Sequence, residues 1–270
     1  MILYFLLFSL CVAYDQSLSK HFINLSQSTY CVSSPSQWNC ITCESSIKPE
    51  YVIENNGARA IQGFDSETNS IFTAFRGSSN IQNWLDNIQI SKLSPYNDSS
   101  IQVEKGFYKA YNYLKPDLIN NLGSLSKKYG TTKLSITGHS LGAAEATLFV
   151  YDILNDFHNN YNIIYFYNFG SPRVGNDEFV KSFSKFSLSS FRVTHYYDIV
   201  PHVPEELLGY LHISNEIWYN EQNSVYKICN DLNNKEDNSC SNSCSPTHCT
   251  SLDDHLNYLN VSMGNDLSCR

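Results

Sequence analysis

Apolar and polar positions along this chain repeat with two periods, and the changes between them mark its elements. Ile71-Phe-Thr-Ala-Phe75 alternates as a strand does, within a run Ser70–Arg76 that pairs with Ala58–Phe64 across the polar turn Asp65-Ser-Glu-Thr-Asn69. Ile81, Trp84, Leu85 and Ile88 then fall at i, i+3, i+4 and i+7, one apolar face of a short helix opposite Gln82, Asn83, Asp86 and Asn87. Lys105–Tyr129 reads as mostly helical, interrupted near Pro116. Lys133–Thr137 and Tyr161–Phe169 are predicted strands flanking a helical stretch, Leu141–Phe157. Asn176–Phe186 is predicted helical, Phe191–Tyr197 a strand, and Glu216–Tyr219 and Val225–Ile228 late strands. Strands alternating with helices predict an α/β fold, a sheet with helices on its faces.

One junction in this pattern carries chemistry. The run Leu134–Thr137 ends in Gly138-His-Ser-Leu-Gly142, of the form G-x-S-x-G, and the helix follows at once. Strand, tight turn and helix are the setting of a nucleophile elbow, in which Ser140 would stand on a sharp bend. Residues two positions either side of such a serine need almost no side chain, and Gly138 and Gly142 meet that need. The helix start offers free N–H groups to a developing oxyanion, that of Leu141 first among them.

A serine of this kind needs an acid and a base, in the chain order Ser, Asp or Glu, His. Asp198 follows the strand Phe191–Tyr197 directly and precedes a Pro-rich loop, a position suited to orienting an imidazole. Asp152 and Asp156 lie on the elbow helix, and Asp177 starts the next one, so they fit worse. Of eight histidines, His139 lies inside the elbow and His195 inside a strand; His202 and His212 are candidates, but loop or core positions suit them better. His255, in Asp253-Asp-His-Leu-Asn-Tyr-Leu259 near the C-terminus, is the preferred base.

Six blocks in order now resemble one family. They are Phe75-Arg-Gly-Ser-Ser-Asn-Ile-Gln-Asn-Trp84, Lys105-Gly-Phe107, Thr137-Gly-His-Ser-Leu-Gly-Ala143, Phe169-Gly-Ser-Pro-Arg-Val-Gly175, Asp198-Ile-Val-Pro-His-Val-Pro204 and Asp254-His-Leu-Asn-Tyr258. The chain resembles the secreted fungal-type (class 3) lipases related to the Rhizomucor enzyme. One departure is Ala143-Ala144, where many relatives have a further glycine. The resemblance implies an α/β-hydrolase-like single domain with a central, mostly parallel sheet, a nucleophile elbow and a short helical lid. It maps the triad to Ser140, Asp198 and His255. It gives Ser78 the second oxyanion N–H beside that of Leu141, and makes Ile81, Trp84, Leu85 and Ile88 the apolar face of the lid. It implies hydrolysis of lipid carboxylic esters, in the manner of a triacylglycerol lipase acting at a lipid–water interface. Feruloyl esterase and phospholipase A1 activity share the fold and stay open as alternatives, and an inactive lipid-binding protein is the alternative from another class. The chemistry needs no cofactor or metal.

Composition places the chain outside a reducing compartment. Met1–Ala13 is an apolar run too short to span a bilayer, and it reads as a signal peptide, leaving residues 14–270 as the hydrolase domain. Of nine cysteines, Cys11 would leave with the signal, and the even number remaining suits an oxidised, secreted protein, extracellular or in a secretory or lysosome-like compartment. The family resemblance implies Cys31–Cys269 and Cys40–Cys43. Closing nearly the whole chain by the first adds ~4–5 kcal/mol in the chain-entropy model. For Cys229, Cys240, Cys244 and Cys249 three pairings remain, Cys229–Cys240 with Cys244–Cys249 being the expectation. A zinc reading of Cys240, Cys244, His248 and Cys249 matches no common finger spacing. Asn24, Asn97 and Asn260 open glycosylation acceptor sequences. Eighteen basic against 26 acidic residues, a net charge of −8, argue against nucleic acid and against anionic membranes as partners. A monomer acting on a neutral lipid ester is the expected form, with no transmembrane segment.

Overall fold

The computed structural model describes residues 13–88, 90–186, 188–231, 235–244, 248–264 and 269. The signal peptide read from Met1–Ala13 lies outside these, Ala13 excepted. An eight-stranded sheet runs in chain order: β1 (Ile47–Asn55), β2 (Ala58–Asp65), β3 (Ser70–Phe75), β4 (Lys133–His139), β5 (Asn162–Phe169), β6 (Ser190–His195), β7 (Glu216–Tyr219) and β8 (Tyr226–Ile228). The pairs from β3 to β7 are parallel, and the outer pairs β1·β2, β2·β3 and β7·β8 are antiparallel. The sheet is thus mostly parallel at its centre, as the family resemblance implies.

Helices cover both faces. On one face, α3 (Lys105–Tyr129), α4 (Leu141–Asp156) and α5 (Asp177–Ser184) bury Leu114, Leu118, Leu122, Phe149 and Phe179 against Ile71 and Ile136. On the other, α1 (Gln16–Cys31) buries Phe22, Ile23 and Leu25 against Phe72, Tyr167 and Phe169. β4 serves both layers: Leu134 and Ile136 face the first, while Thr137 meets Ser26 of α1 at 2.8 Å. α4 is buried all round from Gly142 to Ile153, the mark of a helix inside the core rather than on its surface.

Two elements and one interruption differ from the sequence pattern. α1 was not predicted because its buried face is largely polar: Ser19, Ser26, Gln27, Ser28 and Thr29 are all inaccessible. Internal partners satisfy Ser26, Gln27, Ser28 and Thr29; Thr29, for instance, donates to the Ser26 carbonyl at 2.6 Å. β1 is an edge strand carrying Pro49, Lys48, Glu50 and Glu54, residues that blunt an edge and hide its periodicity. Pro116 does not interrupt α3, which runs unbroken through it. Leu114 and Leu118, on either side of the proline, are both fully buried, and that packing outweighs the backbone hydrogen bond a proline removes.

Disulfides join Cys31–Cys269, Cys40–Cys43, Cys229–Cys240 and Cys244–Cys249. The thiols of Cys240, Cys244 and Cys249 are consumed in these bonds, which removes the thiolates a zinc site there would use. Asn97 and Asn260 are exposed, whereas the Asn24 amide lies on α1 and donates to Glu44 at 2.7 Å. Among the described residues no helix is long and apolar enough to cross a membrane.

Candidate active site

β4 is buried from Leu134 to His139, and at its end the chain turns through Ser140 into α4. Ser140 has φ +61° and ψ −131°, a conformation costly for any residue with a Cβ and one that persists only where the surroundings fix it. The flanking glycines do so by close approach. A Cβ on Gly138 would lie 2.3 Å from the Gly142 carbonyl oxygen, and one on Gly142 2.4 Å from that of Phe75. The end of β3 therefore abuts the first turn of α4. That contact carries Ser78, three residues past β3, to the cavity that Ser140 lines. Leu141 follows Ser140 as the first residue of α4.

Asp198 stands just past β6, almost completely buried. The chain reaches His255 from there through a small ladder: Ser251 N donates to Tyr197 O at 3.0 Å, and Ile199 N to Ser251 O at 3.3 Å. Ser251 also caps the short helix α6 (Leu252–His255), its hydroxyl accepting from Asp254 N. His255 is thereby set with Nδ1 at 2.9 and 3.0 Å from the two Asp198 carboxylate oxygens. Asp198 accepts further bonds from Val200 N at 2.8 Å and from the Tyr258 hydroxyl. Burial alone would push the Asp198 carboxyl up, but His255, Tyr258 and the Val200 amide together hold it below the usual range. Asp198 is thus an anion that fixes the His255 proton on Nδ1 and leaves Nε2 as the free base.

Ser140 Oγ and His255 Nε2 are both buried and have no hydrogen-bond partner among the described residues. Both border one cavity of about 320 Å³, which Tyr30, Ser78, Ile81 and Met263 also line. A serine hydroxyl and a free imidazole nitrogen facing one cavity can exchange a proton once substrate brings them together. His195 and His212 are engaged elsewhere. His195 Nδ1 bonds the Asp254 carbonyl, and His212 Nε2 bonds that of Pro201. Burial, and then nearby arginines, hold His202 down to about 4 and His212 well below its ordinary value. His139 is the exception: its ring lies 4.6 Å from that of His255.

The expected lid face is only partly helical. α2 (Ile81–Asp86) carries Ile81, Trp84 and Leu85, whereas Ile88 lies beyond its end at Asn87. Asn80 caps α2 by accepting from Asn83 N. Ile81 borders the cavity, and Trp84 stacks on Phe107 with centroids 6.0 Å apart. No residue of α2 is fully buried, so the helix rests on the mouth of the site rather than in the core. The Ser78 hydroxyl donates to Asn80 O at 3.1 Å, which engages it in the turn leading into α2. Sequence reasoning assigned no role to Tyr258 or Tyr30; the first, three residues after His255, could have been found as a neighbour of the base.

A strained serine at the end of a central parallel strand, opposite a buried Asp–His pair, places the molecule among the α/β-hydrolase-like serine hydrolases. The lipase (class 3) family model matches residues 72–208. The chain is 32% identical to a lipase of Rhizomucor miehei over 255 residues, 90% of this chain and 68% of that one. It is 31% identical to the secreted mono- and diacylglycerol lipase A of Penicillium cyclopium over 168 residues, 62% of this chain and 54% of that one. A solved triacylglycerol lipase whose catalytic centre is a serine protease triad superposes with a TM-score of 0.83 at 30% identity, covering 93% of this chain and 97% of that one. The chain belongs to the class 3 lipases, a family of carboxylic ester hydrolases.

Proposed function

We propose that this chain is a secreted lipid esterase of the triacylglycerol lipase type, with Ser140, His255 and Asp198 as its catalytic residues. The observation that carries this is the buried Asp198–His255 pair, whose Nε2 shares a cavity with the strained Ser140 Oγ, both atoms without a hydrogen-bond partner among the described residues. Ser140 Oγ attacks the ester carbonyl carbon while His255 Nε2 takes its proton. The Asp198 carboxylate stabilises the imidazolium that forms. The backbone N–H groups of Ser78 and Leu141 receive the oxyanion; removing one such donor typically costs ~10²–10³ in turnover. As the carbon–oxygen bond to the alcohol breaks, His255 returns the proton to it. Water, deprotonated by the same Nε2, then releases the acid and restores Ser140.

The apolar residues of α2 support a substrate met at a surface. Moving the helix off the cavity mouth would expose Ile81, Trp84 and Leu85 to water, at about 25 cal/mol per Å². A lipid surface removes that cost and shifts the balance toward the open form. Four disulfides support an oxidising, secretory setting, and the same reading takes the working form as a monomer.

The test is the initial rate against concentration of a neutral triglyceride, carried through its solubility limit, with Ser140→Ala as control. A sharp rise beyond the limit, absent from the variant, is expected. A Ser140-dependent rate that saturates below the limit would make the chain an esterase of dissolved substrates. No Ser140-dependent rate would remove the triglyceride reading.

A further inference from the structure

His139 and Tyr30 are buried groups beside Ser140 to which the reaction above gives no part. His139 is the last residue of β4 and is 1% exposed. Its Nε2 lies 2.9 Å from the backbone carbonyl oxygen of His255, and its Nδ1 lies 2.9 Å from the Tyr30 hydroxyl. A carbonyl only accepts, so Nε2 carries the proton and Nδ1 accepts from Tyr30. The Tyr30 oxygen in turn packs against the backbone of Gly77, in the loop just before Ser78. A Cβ at Gly77 would come within 2.2 Å of that oxygen. A hydrogen-bonded chain therefore runs from Tyr30, packed under the oxyanion loop, through His139 to the backbone of His255.

We propose that Tyr30 and His139 are positioning residues, which hold the His255 imidazole at a fixed place relative to Ser140 and the oxyanion loop. This rests on the assignment of Ser140 and His255 as nucleophile and base. α6 is a single helical turn, and an element that short relies on contacts from outside it to hold His255 in place across the cavity. The bond from His139 supplies that restraint, and its direction follows from which His139 nitrogen holds the proton. Burial, and then the neighbouring His255, push His139 down to about 3, so it stays neutral and in one tautomer while His255 takes up and returns the Ser140 proton. A neutral ring 4.6 Å away does not oppose the charge that develops on His255, as a protonated one would.

The far end of the chain is anchored firmly. Tyr30 is the penultimate residue of α1, beside the Cys31–Cys269 disulfide. Gln27, one turn earlier, makes bonds of 2.7 and 2.9 Å to both backbone groups of Gly264, which lines the same cavity. α1 thus contributes to the reaction geometry without touching substrate.

The experiment uses a dissolved short-chain p-nitrophenyl ester, with active sites counted by a serine-reactive phosphonate. Tyr30→Phe removes one hydroxyl and should lower kcat about tenfold with KM nearly unchanged, as a small misplacement of a base does. His139→Gln keeps an N–H for the His255 carbonyl and should recover most of the rate that His139→Leu loses. If Tyr30→Phe does not fold, the Gln and Leu variants decide alone, and equal rates for the two would overturn the proposal. Wild-type kcat per labelled site in Tyr30→Phe would overturn the positioning role and leave the Ser140 assignment standing. A change in KM alone would make Tyr30 a substrate contact instead. Failure of the phosphonate to label Ser140 in the wild type would remove the assignment itself, and the proposal with it.

Discussion

Glu145, in the second turn of α4, offers a direct test of the electrostatics around the elbow. Its side chain is fully buried, and neither carboxyl oxygen has a hydrogen-bond partner among the described residues. Burial pushes its carboxyl well above the ordinary range, and the Arg76 guanidinium nearby lowers it only in part. The group therefore folds as a neutral acid. In the unfolded chain it ionises above the usual carboxyl range of about 4.3. The native state then binds a proton that the unfolded state releases, so this group's contribution to stability falls as pH rises through that window. One proton of difference corresponds to about 1.4 kcal/mol per pH unit. Glu145→Gln removes the linkage, because an amide is neutral at every pH. Urea unfolding of wild type and variant at pH 5, 6 and 7, disulfides intact, should show the variant gaining about 1.4 kcal/mol on the wild type per unit. For a chain of this size each kcal/mol is worth roughly 2–4 °C in Tm. How well the amide is satisfied relative to the acid adds an offset that does not change with pH. A stability difference that stays flat from pH 5 to 7 would refute the reasoning, since it would mean Glu145 is ionised in the folded protein.

Other substitutions probe the site itself. Asp198→Asn, at unchanged fold by circular dichroism, should lower kcat by about 10⁴ per phosphonate-titrated site, because the imidazolium loses its counter-charge and His255 its tautomer. Gly170→Ala places a methyl 2.9 Å from the Tyr258 hydroxyl and 3.0 Å from Asp198 Oδ2 at a position with φ +54°, so activity should fall at least about tenfold and stability by roughly 1–3 kcal/mol in thermal unfolding. Trp84→Ala should reduce the rate on emulsified triglyceride several-fold while altering hydrolysis of a dissolved ester little; equal losses on both would make α2 ordinary packing.

The residues proposed to carry the chemistry were legible because that chemistry constrains them locally. An elbow needs small residues around its serine, so Gly138 and Gly142 mark the spot in the sequence. Asp198 was legible as a carboxylate at a strand end. The α/β layering followed from strands alternating with helices, and α2 from apolar residues at helical spacing, of which Ile81, Trp84 and Leu85 lie on it. What stayed hidden depends on neighbours distant in sequence. α1 buries serines and threonines whose partners include Thr137, more than a hundred residues away, so its polar face gave no periodic signal. β1 hides behind edge charges and a proline that make sense only once β2 lies beside it. Pro116 signals an interruption wherever packing is absent, and only the buried leucines of α3 show that packing prevails.

Which residues could react is readable along the chain, because side-chain type, turn chemistry and cysteine parity are local properties. How they are held comes from the folded interior. The proton on His255 Nδ1, the neutral state of His139, the seat of Tyr30 beneath the oxyanion loop and the unpartnered acid of Glu145 each follow from burial and from hydrogen bonds between residues far apart in the chain. Desolvation and hydrogen-bond direction are properties of a packed interior, and no pattern along the chain encodes them one residue at a time.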